Sequence, residues 1–116
     1  MPGPYVFGRH QPASHTIIHV SDPHFLAEGA RLSGRYDVED TFARTLVAIR
    51  AVHPSPAAIV LTGDLTDLGE PDAYRRLRDA VEPVAQDHGT QVSWVAGNHD
   101  ERPALRAGLL DAPATE

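Results

Sequence analysis

The sequence predicts an α/β protein in which three short strands alternate with three helices. Three apolar runs have the length of strands: TIIHV at 16–20, AAIVL at 57–61 and QVSWV at 91–95. A segment with helical character follows each run, and the first two have apolar residues at steps of three and four, the helical period. Strands that alternate with helices favour a parallel sheet with right-handed crossovers. Ligands of such sheets bind beyond the carboxyl ends of the strands.

The strand segments are short and rich in β-branched residues, as strands usually are. AAIVL is a continuous apolar run between turn residues. Such a run is typical of a strand that is covered on both faces. His19 lies inside the first strand segment, and we expect it to be a packed, hydrogen-bonded core residue.

The first helix is predicted over 37–52. Asp37 can cap it, and Asp40 follows three residues later. Pro54 and Pro56 end it, because proline cannot continue a helix. Its apolar stripe consists of Val38, Phe42, Leu46 and Ile49.

The second helix is predicted over 71–89 and the third over 101–110. Pro71 suits the first turn of a helix, and Gly89 suits the position just past its end. Pro83 lies inside the second helix and can kink or split it. The apolar stripe of this helix consists of Tyr74, Leu77, Val81 and Val84. Its arginines, which we expect to form a solvated face, are Arg75, Arg76 and Arg78.

Composition excludes several classes of protein. A chain of 116 residues suffices for one small domain, and without cysteine it has neither disulfides nor thiolate metal sites. The formal net charge of −6 argues against a broad nucleic-acid surface and suits a protein that collects cations. No apolar run approaches the ~18 residues of a membrane span. The segment at 1–15, which we expect to be a flexible arm before a domain at 16–116, lacks the apolar core of a signal peptide. We therefore expect a cytoplasmic location.

Polar residues follow each of the three strands. Asp22 and His24 come after the first strand, Asp64 after the second and Asn98 after the third, each about one strand–helix unit further along the chain. The carboxyl ends of parallel strands lie at one edge of a sheet, so the three clusters should converge. Carboxylate, imidazole and amide oxygen are ligands for manganese, iron, zinc or magnesium. The sequence therefore predicts a metal site at this edge.

Asp64 is the natural bridge between two ions, because it belongs to the middle cluster. A carboxylate has two oxygens and can bridge ions about 3.5–4 Å apart, the separation found in two-metal phosphate-cleaving sites. Gly63 and Gly97 allow sharp turns and a close approach of the backbone. Each cluster alone could be a simple turn with an incidental histidine or aspartate. Their joint placement at three strand ends favours the metal site.

The motifs D-x-H, G-D-x-x-D and G-N-H-D, in this order, resemble those of the calcineurin-like metallophosphoesterase superfamily. The segments TGDLTDLGEPDAYRRLRDAVEPVA and VSWVAGNHDERPALRAGLLDAPA are similar to bacterial class III cyclic-nucleotide phosphodiesterases of the mycobacterial type. The resemblance covers roughly residues 16–113. It implies a four-layer αββα sandwich, of which this chain supplies the N-terminal β-α-β-α-β-α half. It also implies two divalent or trivalent ions of iron, manganese or zinc.

The resemblance implies a role for each residue of the clusters. Asp22 and His24 bind the first ion, Asp64 bridges both ions, and Asn98 binds the second. Asn98 and His99 also contact the substrate phosphate. His99 protonates the leaving oxygen or stabilises its charge, as a general acid does.

The motifs contain two further acidic residues, Asp67 and Asp100. Asp67 is either a turn residue or a partner that orients His99. Asp100 is expected to hydrogen-bond the loop backbone.

The expected reaction is hydrolysis of a phosphodiester, namely a 3′,5′-cyclic nucleotide such as cyclic AMP. Members of the family carry a later histidine and a G-H-x-H motif, and residues 1–116 contain neither. We therefore expect this chain alone to be inactive or weakly active. Two alternatives stay open: a remnant that binds metal or nucleotide without catalysis, and a general phosphodiesterase with little preference for cyclic AMP. Beyond the small-molecule substrate, the expected partner is a second copy of the chain in a homodimer.

Overall fold

The computed structural model describes residues 13–111, so the expected N-terminal arm lies almost entirely outside the described residues. The elements alternate as predicted. The strands are β1 (Ile17–Ser21), β2 (Ala58–Thr62) and β3 (Gln91–Trp94), and the helices are α1 (Val38–Arg50), α2 (Pro71–His88) and α3 (Arg102–Leu109). The strands form one parallel sheet in the order β1-β2-β3. The predicted α/β class and the parallel sheet are therefore confirmed.

The helices begin and end at the predicted signals. The side chain of Asp37 caps α1 by accepting a hydrogen bond of 3.0 Å from the Asp40 amide. Gly89 ends α2 in the left-handed conformation, with φ 64°. The helix runs through Pro83, so the expected split does not occur. In the part of the chain that the structure describes, no helix is both long and apolar enough to cross a membrane.

One face of the sheet packs against the helices. Along each strand, positions that face the helices alternate with more exposed positions. The strand residues that join the core are Ile18, Val20, Ile59, Leu61, Val92 and Trp94. All three helices contribute to the same core. The other positions of β2, Ala58, Val60 and Thr62, keep partial exposure. The prediction that β2 is covered on both faces is therefore correct for one face only within residues 13–111.

His19 lies on the open face of the sheet and is exposed. Its Nε2 is 2.6 Å from the Thr62 hydroxyl, so the expected hydrogen bond is present. The expected burial is wrong, because the alternation along β1 points positions 17, 19 and 21 away from the helices. Ile17, on the same face, is 63% exposed.

The predicted apolar stripes form the core on the covered face. On α2, the buried stripe residues are Tyr74, Leu77, Val81 and Val84. On α1, Phe42 and Ile49 are buried, whereas Val38 and Leu46 are partly buried. Burial of such a side chain contributes about 1.5–3 kcal/mol. Phe25 and Leu65, in the loops after β1 and β2, join this core and so anchor the loops that carry the polar clusters.

The arginines of α2 form ion pairs within the chain. Arg75 has an exposed side chain, as predicted, whereas Arg76 and Arg78 are partly buried, which corrects the prediction of a solvated face for these two. Arg76 pairs with Glu39 of α1 at 2.5 Å, and Arg78 pairs with Asp111 beyond α3 at 2.6 Å. Arg75 pairs with a carboxylate on its own helix. Arg76 and Arg78 therefore connect α2 to its two neighbouring helices.

Candidate metal centre

The loops after β1 and β2 run side by side beyond the ends of their strands. The Asp22 amide donates to the Thr62 carbonyl at 2.8 Å, and the His24 amide donates to the Asp64 carbonyl at 3.0 Å. Asp22 and His24 both have left-handed backbone conformations, with φ 54° and 51°. For residues other than glycine, such conformations cost on the order of 1–3 kcal/mol each and cluster at functional sites. The main-chain hydrogen bonds to the second loop hold this conformation.

A first group of potential metal ligands consists of Asp22, His24 and Asp64. One ligand atom from each residue lies within 4.8 Å of the others. His24 Nε2 is 3.8 Å from Asp22 Oδ1 and 4.0 Å from Asp64 Oδ2. These distances are too long for hydrogen bonds. They suit ligands that share one ion, each at about 2.0–2.2 Å from it. One imidazole and two carboxylates fit manganese, iron or zinc.

A second group consists of His24, Asp67 and His99, whose ligand atoms also lie within 4.8 Å of one another. His24 Nδ1 is 3.2 Å from Asp67 Oδ1. A histidine that binds a metal through one ring nitrogen usually donates from the other to a carboxylate or carbonyl. Asp67 can therefore fix the His24 ring so that Nε2 points towards Asp22 and Asp64.

His99 contacts the main chain of Asp67, whereas the Asp67 carboxylate is closer to His24. His99 Nδ1 is 2.9 Å from the Asp67 carbonyl oxygen and 3.6 Å from its Oδ1. A carbonyl can only accept, so Nδ1 carries a hydrogen and Nε2 is the nitrogen that exchanges a proton. This hydrogen bond and the nearby charge of Asp64 raise the pKa of His99.

The Asp64 carboxylate, in the middle cluster, contacts residues of the other two clusters. Its Oδ1 accepts a hydrogen bond of 2.8 Å from the His99 amide. Its Oδ2 is 4.0 Å from His24 Nε2 and 3.8 Å from His99 Nε2. Asn98 is exposed and lies directly before His99, in the turn that holds Oδ1. The Asp64 carboxylate thus lies between the first and third clusters, since Oδ1 contacts the third cluster and Oδ2 lies near a ring of each.

Two glycines allow the loops to touch. A Cβ added at Gly63 would collide with the carboxylate of Asp22. A Cβ added at Gly97 would collide with Asp64 Oδ1 and with the main chain of Gly63. The close approach of the three loops therefore requires glycine at both positions.

Gly97→Ala is expected to displace the Asp64 carboxylate and to weaken metal binding by about 10–100-fold, the scale for groups that orient metal ligands. Calorimetric titration with Mn²⁺ checks this. Gly89→Ala is the matched control, because Gly89 has a left-handed φ of 64° but nothing within 4 Å of an added Cβ. The control should lose stability and keep its metal affinity. Equal affinities of the Gly97 variant and the natural protein would contradict the prediction.

Sequence reasoning found the backbone role of Asp100 and missed its side-chain partners. Asp100 is 7% exposed, and its carboxylate accepts hydrogen bonds from the amides of Leu65, Thr66 and Gly97, so the expected contact with the loop backbone is confirmed. Burial alone would raise the pKa of Asp100, but these donors outweigh it and lower the pKa. Tyr74, predicted only as an apolar stripe residue, also donates to Asp100. Burial raises the pKa of Tyr74 to about 12.

Comparison with known proteins agrees with this geometry. Residues 15–113 match the family model described as calcineurin-like phosphoesterase, and the chain belongs to this family. It is 44% identical over 102 residues to the cAMP/cGMP dual specificity phosphodiesterase of Mycobacterium tuberculosis, covering 88% of this chain and 32% of that protein. It is 43% identical to a probable cyclic nucleotide phosphodiesterase of Rhodococcus erythropolis, covering 88% and 34%. It is 35% identical to the 3′,5′-cyclic adenosine monophosphate phosphodiesterase of Pseudomonas aeruginosa, covering 81% and 33%. The chain thus spans about a third of the length of these curated relatives.

Proposed function

We propose that the chain supplies metal ligands and a proton donor to a hydrolase of phosphodiesters. The observation that carries this proposal is the convergence of Asp22, His24 and Asp64, whose ligand atoms lie within 4.8 Å of one another at the carboxyl edge of the sheet. Asp22, His24 and Asp64 would hold a first ion, and Asp64 with Asn98 would contribute to a second. When bound, two ions of iron, manganese or zinc activate a water molecule and stabilise charge on the phosphoryl oxygens.

His99 is the proposed general acid. Its side chain is 51% exposed, so a substrate can reach it. The Asp67 carbonyl fixes Nδ1, which leaves Nε2 to donate a proton to the leaving oxygen. Asn98, the preceding residue, is proposed to contact the same phosphate.

The proposed substrate is a 3′,5′-cyclic nucleotide such as cyclic AMP. The three relatives, which are named as phosphodiesterases of cyclic nucleotides, support this class. Hydrolysis opens the ring at one ester bond. A general phosphodiesterase and a metal- or nucleotide-binding remnant without catalysis are the rival functions. The cytoplasmic location and the homodimer expected from the sequence stay predictions.

Removal of metal is expected to abolish hydrolysis by the full-length natural protein. Elemental analysis should find two ions per chain, and a chelator should remove both ions and activity. Added Mn²⁺ should restore turnover of cyclic AMP. Activity that persists in protein shown to be free of metal would contradict the proposal.

The same assay separates the rival functions. Two bound ions with no turnover of any phosphodiester would favour a binding protein. Equal kcat/KM values for cyclic AMP and for bis(nitrophenyl) phosphate would favour a general phosphodiesterase.

A further inference from the structure

The Asp100 carboxylate connects the loop after β2 with the loop after β3. Its Oδ2 accepts from the Leu65 amide at 2.9 Å and from the Gly97 amide at 2.8 Å. Its Oδ1 accepts from the amide and hydroxyl of Thr66, at 2.9 and 3.0 Å. Within residues 13–111, Thr66 and Asp100 are the buried polar residues. The connection between the loops is therefore buried and made largely through the main chain.

Tyr74 attaches this carboxylate to helix α2. Its side chain is fully buried, and its hydroxyl donates to Asp100 Oδ1 at 2.9 Å. The same hydroxyl accepts a hydrogen bond of 2.8 Å from the Glu101 amide. The turn that carries Asn98 and His99 is thus fixed to a helix of the core as well as to the neighbouring loop.

The two amides on Oδ2 adjoin the two proposed metal ligands. Leu65 directly follows Asp64, and Gly97 directly precedes Asn98. One oxygen atom thus holds the peptide beside each ligand, and a change at this atom changes their separation. Asp22 and His24 lie on the loop after β1, and their amides bond directly to the carbonyls of Thr62 and Asp64 rather than to the Asp100 carboxylate.

We propose that Asp100, held by Tyr74, is a positioning residue that sets the separation of Asp64 and Asn98 and thereby the affinity for the second ion. The proposal rests on the proposed function, because it takes Asp64 and Asn98 as ligands. It assigns a selective effect: the ion held by Asp22, His24 and Asp64 depends less on Asp100 than the ion that needs Asn98.

A carboxylate is required because both of its oxygens only accept. Asn at position 100 has one oxygen and one NH₂ group. If the oxygen faces Thr66 and Tyr74, the NH₂ group faces the amides of Leu65 and Gly97, donor against donor. In the reverse orientation, the NH₂ group faces the donors of Thr66 and Tyr74. Either way, part of the connection is lost while the size of the side chain is kept.

The test is a two-step Mn²⁺ titration of full-length Asp100→Asn and Tyr74→Phe, with kcat and KM measured on the same samples. Asp100→Asn is expected to weaken the second ion by about 10–100-fold, with a much smaller effect on the first. Tyr74→Phe removes one donor and should give a smaller loss of the same kind. When Mn²⁺ is limiting, the fall in kcat of both variants should be larger than the change in KM. Saturating Mn²⁺ should restore part of kcat.

Val81→Ala is the matched control for stability. Val81 is buried two helical turns from Tyr74 on α2, and its truncation leaves the hydrogen bonds of Asp100 intact. The control should lower Tm and leave both affinities unchanged at a temperature where circular dichroism shows every variant folded. Equal weakening of both ions by Asp100→Asn, or no weakening, would overturn the proposal. If Asp100→Asn does not fold, Tyr74→Phe decides by the same criterion. If the natural protein binds no ion, the proposed function itself is contradicted. Failure of the positioning role of Asp100 can therefore be told apart from failure of the proposed function.

Discussion

Asp64→Ala is expected to remove both metal ions at once and to abolish hydrolysis in the full-length protein. The residue lies in the middle cluster, and its carboxylate lies between the loops after β1 and β3: Oδ1 accepts from the His99 amide, and Oδ2 lies near the rings of His24 and His99. Loss of a bridging ligand should cost more than the 10–100-fold typical of groups that only orient ligands. Elemental analysis of the purified variant, beside a cyclic AMP assay, measures both effects.

Two matched variants separate metal binding from loop positioning. Asp64→Asn keeps an oxygen that can accept from the His99 amide but loses the negative charge, so it should fold well and still bind metal poorly. Asn98→Ala should mainly weaken one ion, because its loop contributes to one position only. Two tightly held ions in the Asp64→Ala protein would rule out the bridging assignment.

His99→Ala is expected to lower kcat by roughly 10²–10⁴-fold, the scale for loss of a general acid, while metal content stays nearly intact. The reason lies in its geometry: Nδ1 is occupied by the Asp67 carbonyl, and Nε2 on the exposed ring is free to transfer a proton. A substrate with a good leaving group, such as a nitrophenyl ester, needs little protonation. The loss of kcat should therefore be smaller for that ester than for cyclic AMP.

Comparison of the two substrates provides the decisive control. Equal losses of kcat for good and poor leaving groups would show that His99 does not act as the acid. A loss of bound metal in His99→Ala would instead make it a ligand, as its place in the group with His24 and Asp67 permits.

The local pattern of the sequence predicts the elements and the edge where the site lies. Asp37 caps the start of α1 and Gly89 ends α2, each through contacts within one turn, so capping rules suffice to place these two boundaries. The clusters at Asp22, Asp64 and Asn98 converge because each follows a strand of one parallel sheet. Topology alone therefore brings them to one edge.

Contacts between distant side chains are not encoded in any local pattern. The exposure of His19 depends on which face of β1 the helices cover, and a run of apolar residues does not specify that face. The hydrogen bond from Tyr74 to Asp100 joins a helix to a loop that follows the next strand. Apolar periodicity places Tyr74 in the core but says nothing about its hydroxyl. The motif likewise does not show which histidine the Asp67 carboxylate contacts, and the nearer one is His24 rather than His99.

The left-handed backbone at Asp22 and His24 sets stability and function against each other at one loop. Glycine would adopt these φ values with less strain. Replacement by glycine would relieve part of the strain and remove a proposed ligand. Selection of variants for heat resistance alone would thus favour the loss of these two side chains, whereas selection for turnover would retain them. The strained loop is where a thermostabilised version of this protein would most readily lose its proposed metal ligands.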